Sequence, residues 1–126
     1  MPALNITTNS LKLRDANEGF NEPIRKLGDE VAKAVGKPRE YVAVNVIYNQ
    51  FMDFAGDSKT PLALCTFTSI GNIDLEHNTA VSAAVAAFLD AELGVPPTRH
   101  YVAFTDYPRE NMGYMGATFA NLPKSS

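Results

Sequence analysis

The chain has 126 residues, of which 45% are apolar and 20% are charged, and its formal net charge is −3 at pH 7. This length and composition predict one folded domain with a hydrophobic core and exclude a disordered protein. The 11 Lys and Arg residues are scattered rather than gathered into a basic stripe, which argues against nucleic-acid binding. No apolar stretch is long enough to predict a membrane span.

Cysteine and histidine give no sign of a metal site. Cys65 is the single cysteine, so neither an intrachain disulfide nor a multi-cysteine site is expected. The two histidines, His77 and His100, have no partner at the spacing that metal ligands usually show. We therefore expect no metal.

The first predicted element is a strand that begins at Pro2 and runs to Thr8. No signal-peptide pattern precedes it, so none is expected. If Met1 is removed, the chain begins with the secondary amine of Pro2. A terminal amine has a pKa of roughly 7.7–8.0, and burial or nearby positive charge lowers it, which suits a general base near neutral pH. Taken alone, Met1-Pro2 favours an ordinary stable N-terminus over a catalytic one.

The second predicted element is a helix over about Asn21 to Val35. Pro23 is tolerated only in a first turn, which places the start near Asn21. Gly36 ends the helix and Pro38 prevents its restart. The apolar positions step by three and four along one face: Ile24, Leu27, Val31 and Val35.

A longer helix is predicted over about Leu75 to Leu93, after a strand at about Leu62 to Phe67. Asp74 can cap its start and Gly94 can end it. Alanine favours the helix intrinsically. One face carries the large apolar residues: Val81, Val85, Phe88, Leu89 and Leu93.

The two halves of the chain repeat each other. Each helix ends in a glycine and a proline turn, and each is followed by Tyr-Val-Ala, at Tyr41 and at Tyr101. Leu4 precedes Tyr41 by as many residues as Leu64 precedes Tyr101. This spacing predicts a tandem repeat of about 60 residues, each a βαβ unit.

Two βαβ units side by side predict an α+β fold with a four-stranded sheet and both helices on one face. Strands joined through one helix are most simply parallel, with a right-handed crossover. The opposite face is left uncovered, although the predicted strands are too apolar for a wholly wet face. We therefore expect self-association.

Several local sequence motifs, taken together with Pro2, form a recognisable pattern. They are Thr8-Asn9 after the first strand, Gly36-Lys37-Pro38 with Tyr41-Val42-Ala43-Val44, Ala63-Leu64-Cys65 leading to Ser69-Ile70-Gly71, and the stretch Asp106 to Phe119 with Gly113 and Thr118-Phe119. With these pieces in order, the chain resembles the macrophage migration inhibitory factor and D-dopachrome tautomerase family, within the N-terminal-proline tautomerase superfamily. The resemblance covers about residues 2–120.

The resemblance implies a single domain over residues 1–120, with a flexible tail at 121–126. It implies a mixed four-stranded sheet and a homotrimer in which each sheet is extended by a neighbouring subunit. The active site then lies between subunits. The implied location is cytoplasmic, with export by a route that uses no signal peptide.

The implied activity is keto–enol tautomerisation, an isomerase reaction without a cofactor, on phenylpyruvate-like 2-keto acids or dopachrome-like substrates. By resemblance Pro2 is the general base, while Lys37 and the backbone N–H of Ile70 bind the substrate carboxylate. Tyr101 of an adjacent subunit forms part of the pocket wall. The remaining positions match an apolar rim around the substrate ring: Met112, Tyr114 and Phe119.

Three departures from the family pattern bear on function. The first cysteine of a Cys-x-x-Cys pair is missing ahead of Cys65, so thiol–disulfide oxidoreductase activity is not expected. Ala103 stands where a pocket Asn is common, and Tyr114 where a rim Trp is common, which affects substrate preference. Two alternatives to the enzyme stay open: a cytokine-like protein that binds a cell-surface receptor and keeps a vestigial site, and a structural trimer without activity.

Overall fold

The computed structural model describes residues 1–123, in which four strands form the main sheet and a short hairpin follows them. The long strands are β1 (Ala3–Thr8), β2 (Ala43–Tyr48), β3 (Ala63–Ser69) and β4 (His100–Asp106), and the hairpin strands are β5 (Gly113–Tyr114) and β6 (Ala117–Thr118). The helices are α1 (Leu11–Arg14), α2 (Asn21–Val35) and α3 (Leu75–Leu93).

The main sheet has the order β2-β1-β3-β4. Within each half the two strands are parallel, with Ala3 opposite Ala43 and Ala63 opposite His100. The halves join through an antiparallel pairing of β1 with β3, in which Ala3 lies opposite Thr68. The predicted α+β fold of two βαβ units in a mixed sheet is confirmed.

Both long helices have the bounds that the sequence predicts. Each ends at a glycine in the left-handed conformation, Gly36 with φ 67° and Gly94 with φ 65°. Residues with a β-carbon rarely adopt this conformation, so glycine here gives a sharp stop. At the start of α3, the carboxylate of Asp74 accepts a hydrogen bond from the backbone N–H of His77 at 2.9 Å.

The second strand begins later than its sequence suggests. Tyr41 does not open β2 but ends a 3-10 turn, Arg39–Tyr41, in which its N–H donates to the carbonyl of Pro38 at 3.1 Å. Pro38 fixes the backbone ahead of this turn, so the chain needs one extra bend before it joins β1. The short helix α1 and the β5–β6 hairpin were not predicted either, because two to four residues carry no readable periodicity.

The core lies between the helices and one face of the sheet. Every second side chain of β1 and β3 points into it, and Phe67, Leu4 and Ile6 are at most 1% exposed. Burial of one such side chain contributes about 1.5–3 kcal/mol. The helices supply the other wall with their predicted apolar faces, which include Leu27, Val31, Val35, Val81, Val85, Leu89 and Leu93.

Within residues 1–123, no second layer covers the opposite face of the sheet. Tyr101 is 68% exposed, and Ile47 and Leu64 are each 48% exposed. Polar side chains lie among them, and the amide of Asn45 donates to Asn5 at 3.2 Å. The face is therefore mixed rather than wholly apolar, and its large apolar side chains remain available for contact with another chain.

Two further observations concern the limits of the fold. Among residues 1–123, no helix combines the length and the hydropathy needed to cross a membrane. The predicted tail at 121–126 starts in a 3-10 turn, Phe119–Asn121, and its last residues, 124–126, lie outside the described part of the chain. The boundary at residue 120 stays a prediction.

Candidate active site

Strand pairing brings distant parts of the sequence together at one end of the sheet. Pro2 precedes the start of β1, and its carbonyl accepts a hydrogen bond from the N–H of Ala43 at 3.0 Å. Since Ala3 pairs with Thr68, Pro2 lies beside the end of β3, where Ser69 pairs in turn with Asp106 of β4. The site therefore joins the start of β1 to the ends of β3 and β4.

The amine at the start of the chain has an unusual environment. Burial, followed by the positive charges of Lys37 and Arg109, lowers the pKa of the Met1 amine from 8.0 to about 6. While Met1 is present, the nitrogen of Pro2 is an amide and has no basic lone pair. Loss of Met1 would transfer the amine to Pro2, which is buried and lies directly before β1.

One side chain links the turn that carries Lys37 to the turn that follows Ile70. Lys37 follows the cap of α2, and its N–H donates to the carbonyl of Ala32 at 3.1 Å. Asn72, two residues after Ile70, donates its side-chain amide to the carbonyl of Val35 at 2.8 Å and so joins the two turns. The N–H of Gly71 donates to the carboxylate of Asp106 at 2.9 Å. These contacts fix the backbone next to both predicted carboxylate-binding positions.

Aromatic side chains form a wall at this end of the sheet. Tyr114 and Phe119 are stacked, with ring centroids 5.2 Å apart and planes 6° apart. Tyr41 meets Tyr114 edge to face at 6.4 Å. Phe119 is 5% exposed and Tyr114 is 45% exposed, so the wall has a buried base and an open upper edge. Met112 is half-buried, and its carbonyl accepts a hydrogen bond from the N–H of Phe119 at 3.0 Å.

Sequence reasoning missed two residues here. Tyr41 belongs to the aromatic wall, and a signal for it was its equivalence to Tyr101 in the repeat. Arg109 supplies the second positive charge near the amine. It lies just after β4, at the start of a short 3-10 turn whose sequence carries no pattern for this role.

Tyr101 lies apart from the other predicted site residues. It pairs with Leu64, five residues before Ser69 along β3, which is roughly 16 Å from the site at about 3.3 Å per residue. Its exposed ring contacts Phe54 with centroids 5.0 Å apart. Within one chain, therefore, the structure brings together Pro2, Lys37, Ile70, Met112, Tyr114 and Phe119 but not Tyr101.

The chemistry available at this end of the sheet follows from these groups. An amine with a pKa near 6 is unprotonated at neutral pH and can accept a proton. The positive charges of Lys37 and Arg109 favour an anionic ligand, and the aromatic wall favours an apolar group attached to it. The arrangement suits proton transfer on a small aromatic acid.

Known proteins share both the sequence and the fold. The family model described as macrophage migration inhibitory factor matches residues 1–120. Macrophage migration inhibitory factor of Rattus norvegicus is 37% identical over 120 residues, which cover 95% of this chain and all of that protein. The Xenopus tropicalis protein of the same name is 40% identical over 90 residues, or 71% of this chain and 77% of that protein.

A solved structure gives the same result for the fold. The macrophage migration inhibitory factor homologue from Prochlorococcus marinus superposes with a TM-score of 0.84 at 29% identity, covering 93% of this chain and 98% of that one. On sequence and fold together, the chain belongs to the macrophage migration inhibitory factor family.

Proposed function

We propose that this protein is a keto–enol tautomerase that acts on phenylpyruvate-like 2-keto acids or dopachrome-like substrates. The observation that carries the proposal is the position of Pro2, which is buried and directly follows an amine whose pKa burial, Lys37 and Arg109 lower to about 6. We expect the same causes to act on the Pro2 amine once Met1 is removed. Membership of the family supports a cytokine or a tautomerase in general terms.

In the proposed reaction, Pro2 is the general base once Met1 has been removed. Lys37 and the backbone N–H of Ile70 hold the substrate carboxylate. The Pro2 amine then takes the proton from the enol oxygen and returns it to the neighbouring carbon, so atoms and charge balance without a co-reactant. The wall of Tyr114 and Phe119, with Met112, holds the substrate ring. A base poised near the working pH is sufficient for such a transfer when the substrate is positioned.

The proposed assembly is a homotrimer in which neighbouring subunits extend the sheet and Tyr101 enters the site of the next subunit. Two features support it: the large exposed side chains on the open face and the separation of Tyr101 from the other site residues. Sedimentation of a stable monomer at micromolar concentration would contradict it. The expected location is cytoplasmic, with export that needs no signal peptide.

The decisive experiment joins intact-mass analysis to a phenylpyruvate assay. Removal of Met1 together with turnover is the expected result, and Pro2→Gly should lose most of that turnover. A chain with one extra alanine ahead of Pro2 is the matched control, because it keeps the proline ring and turns its nitrogen into an amide. Full activity in either variant would remove Pro2 from the mechanism.

The alternative function is a receptor-binding signalling protein with a vestigial site. The names of the relatives, which are those of a cytokine, favour it as a second candidate. Receptor activation by the wild-type protein without measurable phenylpyruvate turnover would support this alternative. Turnover that disappears in Pro2→Gly while receptor activation stays unchanged would show that the two functions are separable.

A further inference from the structure

Arg109 occupies a short connection between the main sheet and the C-terminal hairpin. It opens a 3-10 turn, Arg109–Asn111, directly after β4. Just before this turn, the N–H of Tyr107 donates to the carbonyl of Ser69 at 2.8 Å, which fixes the connection against the end of β3. The guanidinium therefore projects from a fixed backbone at the same end of the sheet as Pro2.

From this position Arg109 reaches across to the far end of the hairpin. Its Nη2 donates to the carbonyl of Phe119 at 2.6 Å and to that of Leu122 at 3.4 Å. Hydrogen bonds from a charged donor are roughly twice as strong as neutral ones, and the side chain is half-buried, which reduces screening. The arginine thus closes a loop from residue 109 to residues 119–122.

The residues inside this loop include the aromatic wall. The carbonyl of Phe119 accepts a hydrogen bond from Arg109, and the ring of Phe119 stacks on Tyr114. The hairpin strands β5 and β6 are two residues long each, so their own pairing supplies little rigidity. A tether at Phe119 is therefore important for the order of the wall.

The same guanidinium also acts on the N-terminal amine. With Lys37, it is one of the two cations that lower the pKa of that amine, and the two come from different connections, α2–β2 and β4–β5. The carboxylate of Asp106 at this end accepts the N–H of Gly71 instead. One side chain therefore connects the wall to the electrostatics of the proposed base.

We propose that Arg109 is a positioning residue that holds the Tyr114–Phe119 wall over the chain start and thereby sets a preference for acids that carry an aromatic ring. This inference rests on the proposed function for its substrate class. It assigns Arg109 to the wall, through Phe119, rather than to direct contact with the substrate carboxylate.

The test compares two carboxylates that differ mainly by a ring, 3-phenylpropanoate and butanoate, in equilibrium binding to the full chain without Met1. Arg109→Met should weaken 3-phenylpropanoate about tenfold, which corresponds to about 1.4 kcal/mol, and butanoate less than threefold. Arg109→Lys keeps the charge and one donor, so it should recover part of the loss. Arg14→Met is the matched control, because Arg14 is exposed and bonds only to Asp15 among residues 1–123.

Amide hydrogen exchange at residues 117–122 supplies a second readout that needs no ligand. Faster exchange in Arg109→Met, with the rest of the protein unchanged, supports the tether. Equal weakening of both acids would overturn the proposal, because it would mean that Arg109 binds the carboxylate itself. Unchanged binding of both acids with unchanged exchange would also overturn it.

These measurements separate the two proposals. If Arg109→Met weakens the binding of 3-phenylpropanoate more than that of butanoate, and the wild-type protein does not turn over phenylpyruvate, the role of Arg109 is supported and the tautomerase is rejected. Turnover in the wild-type protein without a difference between the two acids on substitution would support the tautomerase and reject the role of Arg109.

Discussion

Gly28 lies directly beneath the guanidinium of Arg39. A β-carbon at position 28 would overlap Nη2 of that arginine. The arginine lies across the helix to donate to the carboxylate of Asp29 at 2.8 Å and to the carbonyl of Val42 at 3.1 Å. Because Gly28 has no side chain, Arg39 can lie across α2 and link this helix to the residue before β2. This link lies next to the turn that carries Lys37.

This relationship predicts that Gly28→Ala destabilises the protein, although alanine normally favours a helix by about 0.5–1 kcal/mol over glycine. The methyl group would displace Arg39 and break its hydrogen bonds, with an expected net loss of about 1 kcal/mol in the free energy of unfolding. Urea denaturation measures it. In an Arg39→Ala background the same substitution should become stabilising, and the opposite sign there would contradict the explanation.

The N-terminal amine predicts a specific pH dependence. Because its pKa is lowered on folding from 8.0 to about 6, the folded state binds fewer protons than the unfolded state between these values. The amine therefore contributes a rise in stability as pH increases from about 6 to 8. After removal of Met1, the Pro2 amine meets the same burial and cations, so its pKa should also lie below the usual value of a terminal amine. The acidic limb of a pH–rate profile for phenylpyruvate should therefore lie at lower pH than an unperturbed terminal amine would give.

Lys37 should control part of that pKa. Lys37→Gln removes one of the two cations that act on the amine, so the acidic limb of the pH–rate profile should move to higher pH. Lys33→Gln is the matched control, since Lys33 lies four residues earlier and pairs with Glu30 at 3.5 Å on the exposed face of α2. A shift of equal size in both variants would show that net charge, rather than position, sets the pKa.

Cys65 should be inert in the folded protein. Burial raises the pKa of its thiol to about 12, and only the thiolate reacts readily. We expect no modification by a disulfide reagent at pH 8 until the chain is unfolded, when one thiol per chain should react. A Lys33→Cys variant in a Cys65→Ala background presents a thiol on the exposed face of α2 and should react in the native state.

Arg99 should be essential for the order of the loop before β3. Its guanidinium is 13% exposed and donates to the carbonyls of Phe54, Asp57, Thr60 and Pro61 at 2.8–3.2 Å. A lysine at position 99 has one nitrogen and cannot donate to all four carbonyls, so Arg99→Lys should lower the free energy of unfolding by about 2–4 kcal/mol. Arg14→Lys, at an exposed pair, should change it by less than about 0.5 kcal/mol. Because Phe54 contacts Tyr101, the fluorescence of tyrosine should change only in the first variant.

The long elements could be predicted from the sequence because periodicity and helix-ending residues acted together. Asn21–Val35 and Leu75–Leu93 each carry an apolar face and end at a glycine, so both bounds were readable. The repeat then gave the parallel pairing within each half, but not the antiparallel pairing of β1 with β3 that joins the halves. The turn at Tyr41 could not be predicted, because a strand-forming sequence there is overridden by the need to bend after Pro38.

The site could be predicted only in part, because some of its residues lie outside regular strands and helices. Pro2, Lys37 and Ile70 stand at the ends of elements, where the pattern of strands and helices already places them together. The role proposed for Arg109 depends on its hydrogen bond to the carbonyl of Phe119, which lies ten residues later in the chain. The segment between them is irregular, so no sequence periodicity predicts this contact. The separation of Tyr101 from the other site residues follows from the register of β3 with β4, which the sequence alone does not give.

The tandem repeat also allows the proposed site to be compared with the equivalent positions of the second half. At the position equivalent to Pro2 the second half has Leu62, and at the position equivalent to Lys37 it has Val95; both are 0% exposed. The backbone of Leu62 is occupied as well, since its carbonyl accepts the hydroxyl of Thr8 at 2.6 Å. The second half thus fills its strand start with an apolar side chain and an internal hydrogen bond, whereas the first half has Pro2 there, next to an amine near two cations. The same βαβ unit therefore serves two purposes in one chain, as a closed packing element in one half and as the frame of the proposed site in the other.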